Sequence, residues 1–382
     1  MDFSLTSDQI EFQKVAADAV DKVVKPALMG VPSGVRLSAD QIRGIYQGLE
    51  GLGYLGGLVP VRDGGLGMRY VDYGLLLESL ARGPIVLAEI VAPRTIAALG
   101  NRQQKEGWLP DLLSGRKLST AAITEPQAGS DLRGLTSEAV IEGEALRLNG
   151  RKKWIKFGSV ADIITILVRI SARNDETSTV SRLVLERDVS PWSSHDIDTT
   201  GINGLPISEL VFEDVMVPRE NVLRATESGI ADFYRGVESS RALVGLQAVG
   251  IAQAALDTAV AYAKERTAFG RTLAKFQAIQ ISLADSAAAL DAARLLCFRA
   301  LWILDCGNRC PREASMAKAF ATEVAVAAAS TAMDCMGAFG LSVDAGVEAR
   351  WRDAKMLTAI DGTTIIQKLI IGRELLDTAA FV

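Results

Sequence analysis

The sequence holds a single histidine, His195, in 382 residues. A multi-histidine metal centre is therefore impossible, and a Ser-His-Asp triad would have to use this one residue. His195 lies in a loop-like Ser-Ser-His-Asp stretch, and no role is assigned to it. Excess basic charge is also lacking. Forty-one Lys and Arg against 46 Asp and Glu give a net charge of −5, so no cationic footprint points to nucleic acid. Cysteine is sparse, and Cys297, Cys306, Cys310 and Cys335 all fall in the C-terminal third. The Cys306–Cys310 spacing could begin a metal site, but no second pair follows and the histidine is far upstream; buried, reduced thiols are expected. No apolar run approaches the ~18 residues of a membrane span, and Glu323 interrupts the alanine-rich stretch after Phe320. The N-terminal MDFSLTSDQIEF has no basic region followed by an apolar one, so no signal peptide is read and the cytoplasm is the expected compartment.

What remains is a chain with 49% hydrophobic and 23% charged residues, a globular composition. At ~100–200 residues per domain its length suits two or three domains and a sizeable core. Three textures divide it. Residues 1–116 read as helical: Thr6 or Ser7 suits a cap for a helix beginning near Asp8, with Ile10, Phe12, Val15 and Val20 on its apolar positions. Further helices run through Leu75–Leu80 and Ala92–Leu99, the latter closing with Gly100, a good residue just past a helix end. Residues 117–225 change period. Leu146–Phe157, Ile163–Ile170, Arg182–Glu186 and Glu209–Phe212 read as strands, with Asn149-Gly150 and Asn203-Gly204 as turns between them. Residues 226–382 carry four long helical patterns near 230–265, 275–306, 311–339 and 363–380, with Pro311 suited to a first helical position and Gly307 to a helix end. The expectation is an α+β protein: an N-terminal helical domain, a central β-barrel or sandwich-like domain and a C-terminal four-helix bundle.

Gly51-Leu52-Gly53-Tyr54-Leu55-Gly56 matches the dinucleotide pattern GxGxxG. That fingerprint must follow a strand and open a helix. Here Gln41–Glu50 reads as helix, so the glycines are expected to turn the chain at a helix end.

Four segments carry a family signal. They are Ala122-Ile-Thr-Glu-Pro-Gln-Ala-Gly-Ser-Asp131; Lys153-Trp-Ile-Lys156 with Gly158 and Ala161-Asp162; Arg266-Thr-Ala-Phe-Gly-Arg271 with Leu273, Phe276-Gln277, Gln280 and Leu283-Ala-Asp285; and Arg352-Asp-Ala-Lys355 with Asp361-Gly-Thr-Thr364 and Gln367. In this order and spacing, the sequence resembles the acyl-CoA dehydrogenase family over nearly its whole length.

The resemblance implies bound FAD and oxidation of an acyl thioester between Cα and Cβ. Such chemistry needs a base for the α proton, a flavin N5 for the β hydrogen, and donors for the thioester oxygen as it becomes enolate-like. Asp361 stands where most relatives carry a glutamate base, one methylene longer. The resemblance makes Asp361 the base, with its own N–H and a flavin ribityl hydroxyl on the thioester oxygen. A second reading is that Asp361 caps the last helix, which would lower its pKa and weaken it. Some relatives place the base on the first bundle helix; that position is Ser240, which cannot serve. Glu238 lies roughly 160° from it around the helix. Glu238 and Arg241 share a face at positions the family uses for thioester contact and loop orientation; the alternative is an ordinary surface salt bridge. Arg241 sits among Ala242–Val249, where an unpaired charge is expensive.

By the same resemblance, Ala121, Ile123, Thr124 and Ser130 edge the flavin and its phosphates, with Ser130 also near substrate. Trp154 and Ile155 lie by the rings, Trp154 being equally suited to a β-domain core. Arg266, Phe269, Phe276 and Gln277 reach the FAD of a neighbouring subunit, Arg266 at its pyrophosphate. Gly362 and Thr363 meet the far end of the cofactor. Lys156 replaces a threonine or serine beside flavin N5 and either charges the flavin environment or points to solvent. Asp334 and Gly337 stand where a glutamine and a glycine pair hold the ADP portion; Asp334 there is repulsive unless paired. Ala268, Ile360 and Ile365 also depart from the pattern.

The expected protein is an FAD-dependent acyl-thioester dehydrogenase. It would act on acyl-CoA or an acyl carrier protein, pass electrons to an electron-transferring flavoprotein, and form a homotetramer or dimer. Rival readings are a half-site subunit of a heteromer and a flavin oxidase or monooxygenase on the same scaffold.

Overall fold

The computed structural model describes residues 4–32, 34–87, 89–172, 178–224 and 229–378. Helix α1 (Ser7–Ala19) starts at a capping box: Thr6 Oγ1 accepts from Gln9 N, and the Gln9 side chain returns to Thr6 N. A π-helical turn, Val20–Val24, leads into α2 (Lys25–Ala27). Ser38 and Gln41 form a second capping box for α3 (Ala39–Gly48). Helices α4 (Tyr70–Ala81), α5 (Val91–Leu99) and α6 (Arg102–Leu113) complete this layer. The GxGxxG stretch follows α3 through a short 3-10 turn, and Gly53 takes φ +76°. It is a helix end, with no strand before it. Helix α5 ends at Gly100 as expected, with the glycine extended, at φ −71°. Asn101 next to it already caps α6, so the chain turns straight into a new helix.

The central region is one mixed sheet. Its strands are β1 (Ser119–Ala122), β2 (Glu138–Glu142), β3 (Ala145–Lys156), β4 (Ile163–Ala172), β5 (Ser178–Glu186), β6 (Ser193–Asp196), β7 (Ile207–Pro218) and β8 (Val222–Leu223). The order is β6-β7-β3-β2-β4-β5-β8, with β1 parallel to β4 off this path. Two expectations are corrected. Asn149-Gly150 lies inside β3 at a register shift, where Gly150 takes φ +152° and a Cβ would run into Ser137. The β2–β3 turn is made instead at Gly143, at φ +62°. His195 is in strand β6, opposite Glu209, and not in a loop.

The C-terminal region holds α7 (Gly229–Glu265), a small hairpin of β9 (Thr267–Ala268) and β10 (Arg271–Thr272), then α8 (Gln277–Asp305), α9 (Pro311–Met336), α10 (Val347–Leu357) and α11 (Thr364–Leu376). Pro311 opens α9, and Gly307, at φ +76°, follows α8. The last long pattern is the 13-residue α11, preceded by the unexpected α10. Small residues let these helices approach: a Cβ on Gly250 would strike Glu78 O of α4, and one on Gly245 would meet Cys297 of α8. One hydrophobic core thus joins α4, α7, α8 and α9, while a second, with Leu146, Ile164, Leu183 and Phe212, fills the β layer. By length and composition α7 and Pro311–Leu341 are apolar enough to cross a membrane, but α7 is mostly enclosed by its neighbours. Cys297, Cys310 and Cys335 are buried, whereas Cys306 is exposed, contrary to expectation. Among the described residues no cluster of metal ligands occurs.

Candidate active site

Asp361 sits on the loop between α10 and α11 in a left-handed conformation, φ +53°. The cap of α11 is Thr363, whose hydroxyl accepts from Ile366 N at 3.4 Å. The capping reading of Asp361 is thereby corrected: its carboxylate is not used on the helix. A long-range anchor and a local one hold the loop. Lys318 of α9 donates from Nζ to Thr358 O at 2.7 Å and Gly362 O at 2.8 Å. Gln367 Nε2 donates to Asp361 O at 3.0 Å and Gly362 O at 2.9 Å.

Asp361 faces four charges. Burial raises its pKa, Glu89 raises it further, and Arg241, Lys318 and Lys156 oppose the rise. Burial in turn lowers Lys156 and Lys318, each to about 8. Lys156 points inward: its Nζ donates to Glu89 O at 3.2 Å and lies over the Phe157 ring. Arg241 is buried, and its Nε has no hydrogen-bond partner among the described residues.

Glu238 is 1% exposed and does not pair with Arg241 as a surface bridge would. Its Oε1 accepts from Arg309 Nε at 2.6 Å and its Oε2 from Cys310 N at 3.0 Å. It fastens the α8–α9 connection to α7.

The candidate flavin residues fall into two groups. In the first, Ala121 ends near the edge of β1, and Ile123, Thr124 and Ser130 lie on the loop beyond it. A buried ion pair sets that loop. Lys152 Nζ meets Glu125 Oε1 at 2.8 Å, with both side chains fully buried. Lys152 also donates to Ile123 O at 2.9 Å and Leu167 O at 2.6 Å. Glu125 accepts from Thr136 N at 2.7 Å and Ser137 N at 3.0 Å. Beside this loop, Trp154 takes φ +64° at an irregularity between β3 and β7 and is 54% exposed. Its ring is therefore not core. Ile155, by contrast, buries its side chain in the β-layer core, leaving only its backbone to face a cofactor.

The second group looks outward. Arg266 is exposed ahead of the β9–β10 hairpin, and Phe269 at the hairpin tip is 95% exposed at φ +50°. Phe276 packs edge-on to Phe269 and under Arg271, with Gln277 exposed at the start of α8. Arg266 shares a concavity of about 410 Å³ with Tyr262, Met336, Ala338 and Phe339. Asp334 and Gly337 are exposed at the end of α9 beside it. On the loop that carries Asp361, Gly362 takes φ +96°, and the buried Thr364 Oγ1 and Gln367 Oε1 lack partners among the described residues. An exposed indole, an exposed guanidinium beside a concavity and orphaned buried polar atoms suit a flavin dinucleotide.

Sequence reasoning missed Glu89, Arg94, Lys318 and the Lys152–Glu125 pair. Glu89 and Lys318 share a legible sign: each is the one charge in an apolar or alanine-rich run.

Sequence profiles of the acyl-CoA dehydrogenase N-terminal, middle and C-terminal domains match residues 6–116, 120–215 and 227–376. YngJ of Bacillus subtilis, a probable acyl-CoA dehydrogenase, is 33% identical over 98% of this chain and 100% of its own. Subunit CarC of the caffeyl-CoA reductase-Etf complex of Acetobacterium woodii is 30% identical over 95% of this chain and 97% of its own. Among solved structures, butyryl-CoA dehydrogenase from Megasphaera elsdenii superposes with a TM-score of 0.90 at 31% identity, covering 98% of this chain and 100% of that one.

Proposed function

This chain belongs to the acyl-CoA dehydrogenase family of FAD-dependent oxidoreductases, and we propose that Asp361 is the base that starts its reaction, the α,β-dehydrogenation of an acyl thioester. The observation that carries this reading is the freedom of the Asp361 carboxylate. Thr363 takes the capping duty, while Lys318 and Gln367 fix the loop through its carbonyls. Asp361 is half-buried, and a carboxylate whose pKa is raised by desolvation is a better proton acceptor than a solvated one.

FAD, when bound, supplies the acceptor for the β hydrogen. The Ala121–Thr124 edge, Ser130, Trp154 and the Ile155 backbone would hold it from one subunit, with Gly362 and Thr363 at its far end. Arg266, Phe269, Phe276, Gln277, Asp334 and Gly337 would reach it from a neighbour. The exposure of Phe269 and Arg266 supports a dimer or tetramer in which these residues are covered. Asp361 takes the α proton. Its own N–H would hold the thioester oxygen, and the Lys156 and Arg241 charges, which act on Asp361, would favour the negative charge that develops. Glu238, spent on Arg309 and Cys310 N, ties the α8–α9 connection to α7 close to Arg241 instead of touching substrate. The acyl carrier is coenzyme A or a carrier protein, and the likeness to CarC supports an electron-transferring flavoprotein as electron acceptor.

The test begins with purified protein reconstituted with FAD, mixed anaerobically with acyl-CoA and acyl-carrier thioesters. Retained flavin that bleaches with a subset of thioesters in the wild type, and fails to bleach in Asp361→Asn, is the expected result. A chain that holds no flavin as a homomer is a half-site subunit, and bleaching by Asp361→Asn at the wild-type rate removes Asp361 as base. Rapid reoxidation in air would instead mark an oxidase.

A further inference from the structure

Glu89 is the only charged residue in the run Pro84–Pro93. Its side chain is nearly buried, and its Oε1 pairs with Arg94 Nη2 at 3.0 Å. Its Oε2 accepts from Ser240 Oγ at 2.9 Å, and its backbone oxygen accepts from Lys156 Nζ at 3.2 Å. Arg94 is itself held by Ser239, Ser240 Oγ and Gly236 O. Through its carboxylate this residue joins the segment before α5 to the stretch of α7 that carries Arg241, and through its backbone oxygen it meets the lysine of β3.

Lys156 and Arg241 both act electrostatically on Asp361, as does Lys318 of α9, whose Nζ donates to Gly362 O next to it. Among the described residues, the charged groups that act on Asp361 are Glu89 from the segment before α5, Lys156 from β3, Arg241 from α7 and Lys318 from α9, with Arg94 paired to Glu89. Three cations acting alone would hold a carboxylate ionised and make it a feeble proton acceptor. Among the described residues, Glu89 is the group that opposes them. Its influence extends to Tyr54 and Tyr73, whose phenols burial raises first and Glu89 raises further. Arg94 and the Ser240 hydroxyl give the Glu89 carboxylate its partners away from water.

We propose that Glu89 is a second carboxylate of the site, a positioning residue that keeps a negative charge against Asp361 so that this shortened base can accept the α proton. The proposal rests on the reading of Asp361 as the base. Loss of Glu89 leaves Asp361 among cations only. The base then loses its proton at lower pH and pulls on the α proton more weakly.

The experiment is the pH profile of anaerobic flavin bleaching by a reactive acyl-CoA, measured for wild type, Glu89→Gln, Glu89→Asp, Lys156→Met and Asp361→Asn, each reconstituted with FAD. Three results are expected. The acidic limb of Glu89→Gln moves to lower pH and its plateau rate falls. Glu89→Asp, which keeps the charge, restores the limb. Lys156→Met, which removes a cation, moves the limb to higher pH. A limb that stays at the wild-type pH in Glu89→Gln overturns the proposal while an inactive Asp361→Asn leaves the base reading intact. Bleaching that survives in Asp361→Asn but vanishes in Glu89→Gln makes Glu89 itself the base and overturns both readings. Where Glu89→Gln does not retain FAD, an unmoved limb in Lys156→Met overturns the proposal on its own.

Discussion

Replacing Lys152 with methionine should destabilise the holoenzyme by about 5 kcal/mol, a figure that follows from what Nζ holds. Lys152 and Glu125 are fully buried together, and removing one member of such a pair costs roughly 3–5 kcal/mol because the other charge is stranded. Glu125 would keep Thr136 N, Ser137 N and Gln127 Nε2 as donors, so the low end, about 3 kcal/mol, applies. Ile123 O and Leu167 O each lose a donor, adding about 1 kcal/mol apiece. Glu125→Gln alone should cost about 3 kcal/mol by stranding the ammonium. The double variant strands neither charge and should fall well short of the sum, giving a coupling of about 3 kcal/mol. Guanidinium unfolding followed by tryptophan fluorescence, at fixed protein and FAD concentrations, measures all four corners. Because Ile123 edges the proposed flavin loop, Lys152→Met should also release FAD at lower denaturant than the wild type. Additive single effects, or a Lys152→Met cost under about 1 kcal/mol, would refute the view that this pair sets the loop.

Thr363→Ala should cost about 1 kcal/mol by uncapping α11, whereas Asp361→Asn should leave the stability of that helix unchanged; thermal unfolding of the two variants side by side separates cap from base. Burial raises Asp353 to about 6 from an ordinary value of 3.8. A carboxyl raised on folding contributes stability that is fully present below about pH 4 and is lost as pH rises through about 6. Denaturant unfolding between pH 4 and pH 7 should therefore show wild type losing stability relative to Asp353→Asn across that window, and a constant difference would contradict the burial of a charge there.

Much of the fold was legible because the signals were local. Thr6 and Gln9 form their capping box within one helical turn, and the β-branched Ile163–Val168 run makes β4. The misreadings came where local chemistry was ambiguous. Asn149-Gly150 has turn composition, yet its glycine serves a bulge pressed against Ser137. The site was half legible. Asp361, Trp154 and the hairpin residues stand in recognisable segments. Their supports do not, because Lys318 reaches 44 residues to Gly362 and Ser240 reaches 151 to Glu89. No local pattern encodes such pairs; only a solitary charge in an apolar run hints at them.

Proton abstraction by Asp361 is tested most directly by exchange at Cα. FAD-loaded enzyme is incubated in D2O with an acyl-CoA whose Cβ carries no removable hydrogen, and the recovered thioester is weighed by mass spectrometry. Wild type should introduce deuterium at Cα, and Asp361→Asn, still holding its flavin, should introduce none above the rate without enzyme. Equal exchange by the two proteins would contradict Asp361 as the base.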